Sequence, residues 1–180
     1  RLAPRPTITG MTAAITPPAY VKNVSDATKP APAVMTDLLT QAGRAVEGSR
    51  VAIRIRSSKP LLKLGNGEPD IRLFDQTKDT ELALPMQRRL IDPTTADISF
   101  AASKSLQARV VLRDTDHFES RAGGLLTIEV VPDALPSVII TEPRRLVERT
   151  PTAVVEIADQ ATDDLGLEGH KLRADRFDAK

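Results

Sequence analysis

The sequence predicts an all-β chain: a two-sheet sandwich over residues 1–133, then the first strands of a second sandwich over residues 134–180. Three observations point there. Apolar and polar residues alternate with period two in several short runs, as they do in half-buried strands. Fourteen prolines and nine glycines punctuate those runs. The pattern then restarts after Pro132-Asp133-Ala134-Leu135-Pro136.

The elements follow in order. Ile15-Thr16-Pro17-Pro18-Ala19-Tyr20 sets boundary residues beside a strand-like run. In residues 31–48, Val34, Met35, Leu38, Leu39, Ala42 and Val46 fall at helical spacing. Pro32 suits a first turn, and Gly43 or Gly48 a stop, so one short helix is expected near residues 33–43, covering an edge or an end of the sandwich. Arg50 to Arg56 is the clearest strand, with Val51, Ile53 and Ile55 on one face and three arginines on the other. Leu61–Leu64 and Asp70–Phe74 should pair through Asn66-Gly67, because glycine accepts positive φ without steric cost. Leu82, Leu84 and Met86 read as an edge strand marked by Pro85. Ile98 and Phe100 open another. Leu106–Leu112 and Leu126–Val130 read as the closing hairpin around the polar loop Asp114–Gly124. Beyond Pro136, strands are expected at Ser137–Thr141, Thr152–Ile157 and His170–Phe177, with a turn at Asp163–Gly166. Three strands make less than a sandwich. We therefore expect a processed chain or a fragment, with the second unit completed beyond Lys180 or by another chain.

Composition narrows the chemistry. With no cysteine, disulfides, thiol catalysis and Cys-ligated zinc are excluded. Aromatics are only 3%, so the core must rest on Val, Ile, Leu and Ala, and stacking platforms for sugars or single-stranded nucleic acid lack material. Net charge is +1, which offers no field for nucleic acid or membrane. Residues 134–180 carry 7 Lys/Arg against 9 Asp/Glu and the rest 18 against 15, too mild a split to name a partner. The apolar runs are too short to span a bilayer. The sequence has neither a phosphate-binding glycine loop nor a Gly-X-Ser-X-Gly elbow.

Four strings together carry a family resemblance: Thr16–Tyr20, Gly48-Ser49-Arg50-Val51, Pro132–Val138 and Ala161-Thr162-Asp163-Asp164-Leu165-Gly166-Leu167. With them the chain resembles, over roughly residues 8–177, large bacterial envelope proteins built from tandem immunoglobulin-like domains. The resemblance implies an immunoglobulin-like sandwich, an extracytoplasmic location in the periplasm or at the cell surface, and a membrane anchor elsewhere in the polypeptide. A fainter likeness to cadherin repeats rests on Asp159, Asp163 and Asp164 near a turn and Asp133 in the linker. There the repeat alternates its acids, whereas Asp163 and Asp164 are adjacent.

These residues define the candidate sites. Asp133, Asp159, Asp163 and Asp164 are the candidate calcium ligands, supplying some of the six to eight oxygens that ion takes. The competing account is turn chemistry, with Asp side chains accepting backbone N–H groups and no cofactor. His117 and His170 lack partners at metal-ligand spacing. Arg50, Arg54 and Arg56, with Arg88-Arg89 and Arg144-Arg145, could meet polyanions, or simply wet a strand face while their stems cover apolar surface. No residue is assigned a catalytic role. The expected function is a non-catalytic spacer, adhesion or assembly module, with other domains of the same polypeptide or neighbouring envelope proteins as partners. The alternative is an accessory, carbohydrate-binding-like domain of an envelope enzyme.

Overall fold

Side-chain alternation determines what each strand buries. Along Arg50–Ser57, Val51, Ile53 and Ile55 are fully buried while Arg50, Arg54 and Arg56 face solvent. The same alternation repeats in Ile8–Thr16, where Met11, Ala13 and Ile15 turn inward. The computed structural model describes residues 4–23, 26–121, 124–142, 154–165 and 171. Among these the chain forms thirteen strands and no helix: β1 (Ile8–Thr16), β2 (Lys22–Asn23), β3 (Asp26–Pro30), β4 (Val34–Asp37), β5 (Gly43–Val46), β6 (Arg50–Ser57), β7 (Ile71–Asp75), β8 (Gln87–Asp92), β9 (Thr95–Ala101), β10 (Leu106–Leu112), β11 (Gly124–Val131), β12 (Ser137–Glu142) and β13 (Ala158–Thr162).

Nine of these strands make a sandwich. One sheet has the order β4-β1-β6-β9-β8, with every pair antiparallel. The other runs β5-β11-β10-β7, antiparallel except for the parallel pair β5–β11. Their inner faces share one aliphatic core. Ile15, Ile53 and Ile98 come from the first sheet, and Leu73, Val110, Leu126 and Ile128 from the second. Phe100 is the one aromatic in that core, as the composition required. Two separate ribbons, β2–β3 and β12–β13, complete the sheet inventory.

The expected helix near residues 33–43 is not there. Its supposed apolar face stays largely in water, with Val34, Met35 and Leu39 at 54%, 65% and 47% exposure. Burial instead skips every second residue: Thr36 and Leu38, then Gly43 and Ala45. Two open ladders decide the matter. β4 takes the free side of β1, pairing Thr36 with Ala13, and β5 takes the free side of β11, pairing Gly43 with Ile128. A turn joins them. The Asp37 side chain accepts the Leu39 N–H at 3.0 Å, and the Asp37 carbonyl accepts Thr40 and Gln41. Gly43 permits the close approach at this crossing, since a Cβ there would lie 2.7 Å from Ile128 Cδ1 and the isoleucine tip would have to shift. Long-range backbone pairing thus outweighs a local 3.6-residue pattern.

Other expected elements shift rather than vanish. Leu82, Leu84 and Met86 do pack on the core, yet the ladder begins only at Gln87. The segment is crossing between sheets: Leu82 N–H donates to Leu73 O at 2.8 Å, before β8 joins β9. Leu61–Leu64 forms no named strand, but it does pair across the turn: Leu64 N–H donates to Glu68 O at 2.8 Å and Asp70 N–H to Leu62 O at 2.9 Å, around Gly67 at φ 82°. In the second unit, residues 154–157 form no strand, and Val154, Val155 and Ile157 are exposed. β13 lies directly after them and pairs Ala161 with Val138 of β12. Thr152, Ala153, His170 and most of the expected His170–Phe177 strand lie outside the described residues.

Candidate functional site

The three boundary strings converge. Tyr20 ends the Thr16–Tyr20 string just after β1. Asp133 follows β11 in the linker, and Asp163 follows β13. The Tyr20 hydroxyl donates to the Asp133 carboxylate. Partial burial, that hydrogen bond and the nearby charges of Asp133, Glu47 and Asp163 together push the phenol above the ordinary tyrosine range, because each disfavours the phenolate. Carboxylate oxygens of Asp133, Asp163 and Asp164 lie within 4.8 Å of one another. Lys22 N–H reaches Leu165 O at 3.5 Å, so β2 also touches this turn.

Three of the four candidate calcium ligands are therefore brought together, and Asp159 is not among them. It sits within β13, opposite Ile140. Three carboxylates supply three oxygens if each binds through one and six if all are bidentate, against the six to eight that calcium takes. Asp133 and Asp164 are exposed and Asp163 half-buried, so water screens their mutual repulsion. The arrangement brings one phenol and three carboxylates, from the segments after β1, β11 and β13, to one solvent-facing place.

The second cluster stands at the end of the β10–β11 loop. Asp114 is fully buried, and its Oδ2 accepts from Lys59 Nζ at 2.7 Å. Its Oδ1 accepts the N–H groups of Asp116 at 3.1 Å and Phe118 at 2.8 Å. Burial alone would raise this carboxyl. The Lys59 ammonium and the backbone donors outweigh that and hold it below the ordinary carboxylate range. Lys59 also reaches Asp116 at 2.9 Å and lies 5.8 Å from the Phe118 ring centre. His117 occupies the left-handed position of this turn, at φ 64°, and its N–H donates to Asp114 O at 2.9 Å. Its place is that of a type I turn followed by a left-handed residue. Sequence reasoning missed this cluster. Lys59 and Asp114 are 55 residues apart, and long-range backbone pairing unites them: the Leu61–Asp114 bridge, Thr115 N–H to Pro60 O at 3.1 Å and Leu62 N–H to Arg113 O at 2.9 Å.

The arginine stripe is partly neutralised. Asp97, directly opposite Arg54 on β9, accepts Nε at 2.8 Å and Nη2 at 2.9 Å. Arg88 turns away from the stripe and donates Nε to Ile71 O at 3.0 Å, tying the β8 edge to the other sheet. Arg144 and Arg145 lie outside the described residues. Among the described residues the aromatics do not gather, and Phe177 lies outside them. Phe100 is in the core, Phe118 lies near Lys59, and Phe74 sits near Arg109 and Arg72, at 5.2 and 5.7 Å. No protein-family model matches this chain, and no curated protein matches it.

Proposed function

We propose that this chain is a non-catalytic structural and interaction module of a bacterial cell-envelope protein, placed outside the cytoplasm as a spacer, adhesion or assembly unit. The observation that carries the reading is the joint. Three boundary strings, far apart in sequence, meet where Tyr20 bonds Asp133 beside Asp163 and Asp164. A module whose contacts concentrate at the start of the next unit suits serial arrangement. The strand order agrees with an immunoglobulin-like reading: β1-β6-β9-β8 facing β11-β10-β7 matches the ABED and GFC sheets of a constant-type immunoglobulin domain, with β4 and β5 added. Sandwiches of this kind place their loops at two ends, where neighbours attach. Partners are then other domains of the same polypeptide or neighbouring envelope proteins.

Among the described residues the aromatics are scattered and give the carbohydrate-binding alternative no platform. Two measurements test the reading. Fractionation of cells with surface proteolysis should place the parent polypeptide in the envelope; recovery from the cytoplasm would overturn the location. A glycan array should show no retention; saturable binding to one polysaccharide would transfer the function to the accessory class.

A further inference from the structure

We propose that Asn66 is a site of spontaneous deamidation, which converts the tip of the Leu61–Asp70 arch to aspartate and isoaspartate while the protein stays folded. The inference concerns the arch alone and does not depend on the role proposed for the module. The chain has two asparagines: Asn23, followed by Val24, and Asn66, followed by Gly67. The step is an attack by the Gly67 backbone nitrogen on Asn66 Cγ. The N–Cγ bond forms, the Cγ–Nδ2 bond breaks, and the side-chain nitrogen leaves as ammonia with the proton that the Gly67 nitrogen gives up. The product is a five-membered cyclic imide. Water then opens the ring at either carbonyl. Cleavage at Cγ restores the ordinary backbone with aspartate at position 66. Cleavage at the main-chain carbonyl leaves the chain running through Cγ, as isoaspartate. Water enters, ammonia leaves, and nothing is oxidised or reduced.

Three observations select Asn66. The first is the attacking residue. A side chain on it crowds the approach to Cγ, most of all a β-branched one such as Val24, whereas Gly67 has none. The second is access. Asn66 and Gly67 are both exposed, and no atom lies within 4 Å of where a Gly67 Cβ would stand, so water and base reach the amide. The third is the carbonyl. Asn66 Oδ1 accepts the Glu68 N–H at 3.1 Å, which polarises the Cγ–Oδ1 bond toward the charge that develops during attack. One restraint opposes the reaction: Gly67 N–H donates to Leu64 O at 2.8 Å and must come free first. That bond closes a solvent-exposed turn, so it opens locally. The base of the arch stays closed meanwhile, because Leu61, Pro69 and Asp70 are buried and Leu62 N–H holds Arg113 O at 2.9 Å. Isoaspartate adds one methylene to the backbone inside the turn. The Leu64–Glu68 and Gly67–Leu64 hydrogen bonds then lose their register, and the tip frays above an intact base.

The experiment ages the whole chain at mildly alkaline pH, with circular dichroism confirming the native fold throughout, beside a second sample unfolded in urea. Trypsin then releases Leu64–Arg72, which carries Asn66, and a separate peptide that carries Asn23. In the folded sample we expect Leu64–Arg72 to gain the mass of an amide turned acid and to split into aspartyl and isoaspartyl forms, the latter labelled by an isoaspartyl methyltransferase. Conversion at Asn66 should exceed that at Asn23 by roughly ten-fold or more. Asn66→Gln should abolish the gain, since glutamine must close a larger ring. Brief trypsin treatment should nick aged protein after the exposed Lys63 sooner than fresh protein. An unchanged Leu64–Arg72 in the folded sample after the unfolded one has converted, equal conversion at both asparagines, or a gain that survives in Asn66→Gln would each overturn the proposal. Equal nicking of aged and fresh protein would overturn the frayed tip.

Discussion

Replacing Asp114 by alanine removes one carboxylate that accepts three donors: Lys59 Nζ and the N–H groups of Asp116 and Phe118. Breaking a buried ion pair costs about 3–5 kcal/mol where the abandoned charge stays buried. Here Lys59 keeps Asp116 and some exposure, so the lower end applies. The two backbone donors lie on exposed residues, where water replaces part of what they lose. We expect a loss of about 3 kcal/mol. For a domain of this size that lowers Tm by roughly 10 °C and the urea midpoint by roughly 1–3 M, with the slope unchanged. Asp116→Asn, at an exposed partner of the same lysine, should cost about 0.5 kcal/mol or less. The pH dependence gives a second reading. The folded-state pKa of Asp114 is depressed, so its contribution is complete above the ordinary carboxylate range and lost as pH falls through the folded value. The wild-type protein should therefore lose stability more steeply than Asp114→Ala in acid, and the two curves should converge. Equal losses from Asp114→Ala and Asp116→Asn, or parallel acid curves, would refute the reasoning.

Gly43→Ala should destabilise by about 1–2 kcal/mol in thermal unfolding, because the new methyl would meet Ile128 Cδ1 at 2.7 Å and Ile15 Cδ1 at 3.1 Å in a filled core. Tyr20 is the sole tyrosine, so a spectrophotometric titration reads the joint directly. It should titrate above the ordinary tyrosine range, and Asp133→Asn should bring it back toward that range. A chelator should leave Tm where it was; a fall restored by calcium but not by magnesium would make ligands of Asp133, Asp163 and Asp164.

The sequence was most legible where one residue's neighbours decide its state. In β6 and β11 an alternation faces a single core, and Val51 and Ile128 are buried as their parity requires; in β10 Val110 follows suit, while Val111 on the other parity is buried as well. Residues 33–43 were illegible for the opposite reason. Their spacing suited a helix, but the ladders they complete belong to β1 and β11, and no local pattern records that a distant strand has an open side. The acidic joint was half legible. The place of Asp163 and Asp164 in a turn and of Asp133 in the linker marked them as candidates, but nothing in the chain placed Tyr20 among them or Asp159 apart. Lys59 with Asp114 could not be found at all, since each residue alone is an ordinary loop charge.

The parallel pairing of β5 with β11 has a mechanical consequence. β11 begins at Gly124, beside Ile8 at the start of β1, and ends at Val131, beside Val46. The sandwich therefore enters and leaves at opposite ends. Tension applied through the neighbouring chain would load the β1–β6 and β5–β11 hydrogen bonds in shear, many at once, instead of peeling them singly. Such a link should resist extension until those rows slip together, then yield abruptly.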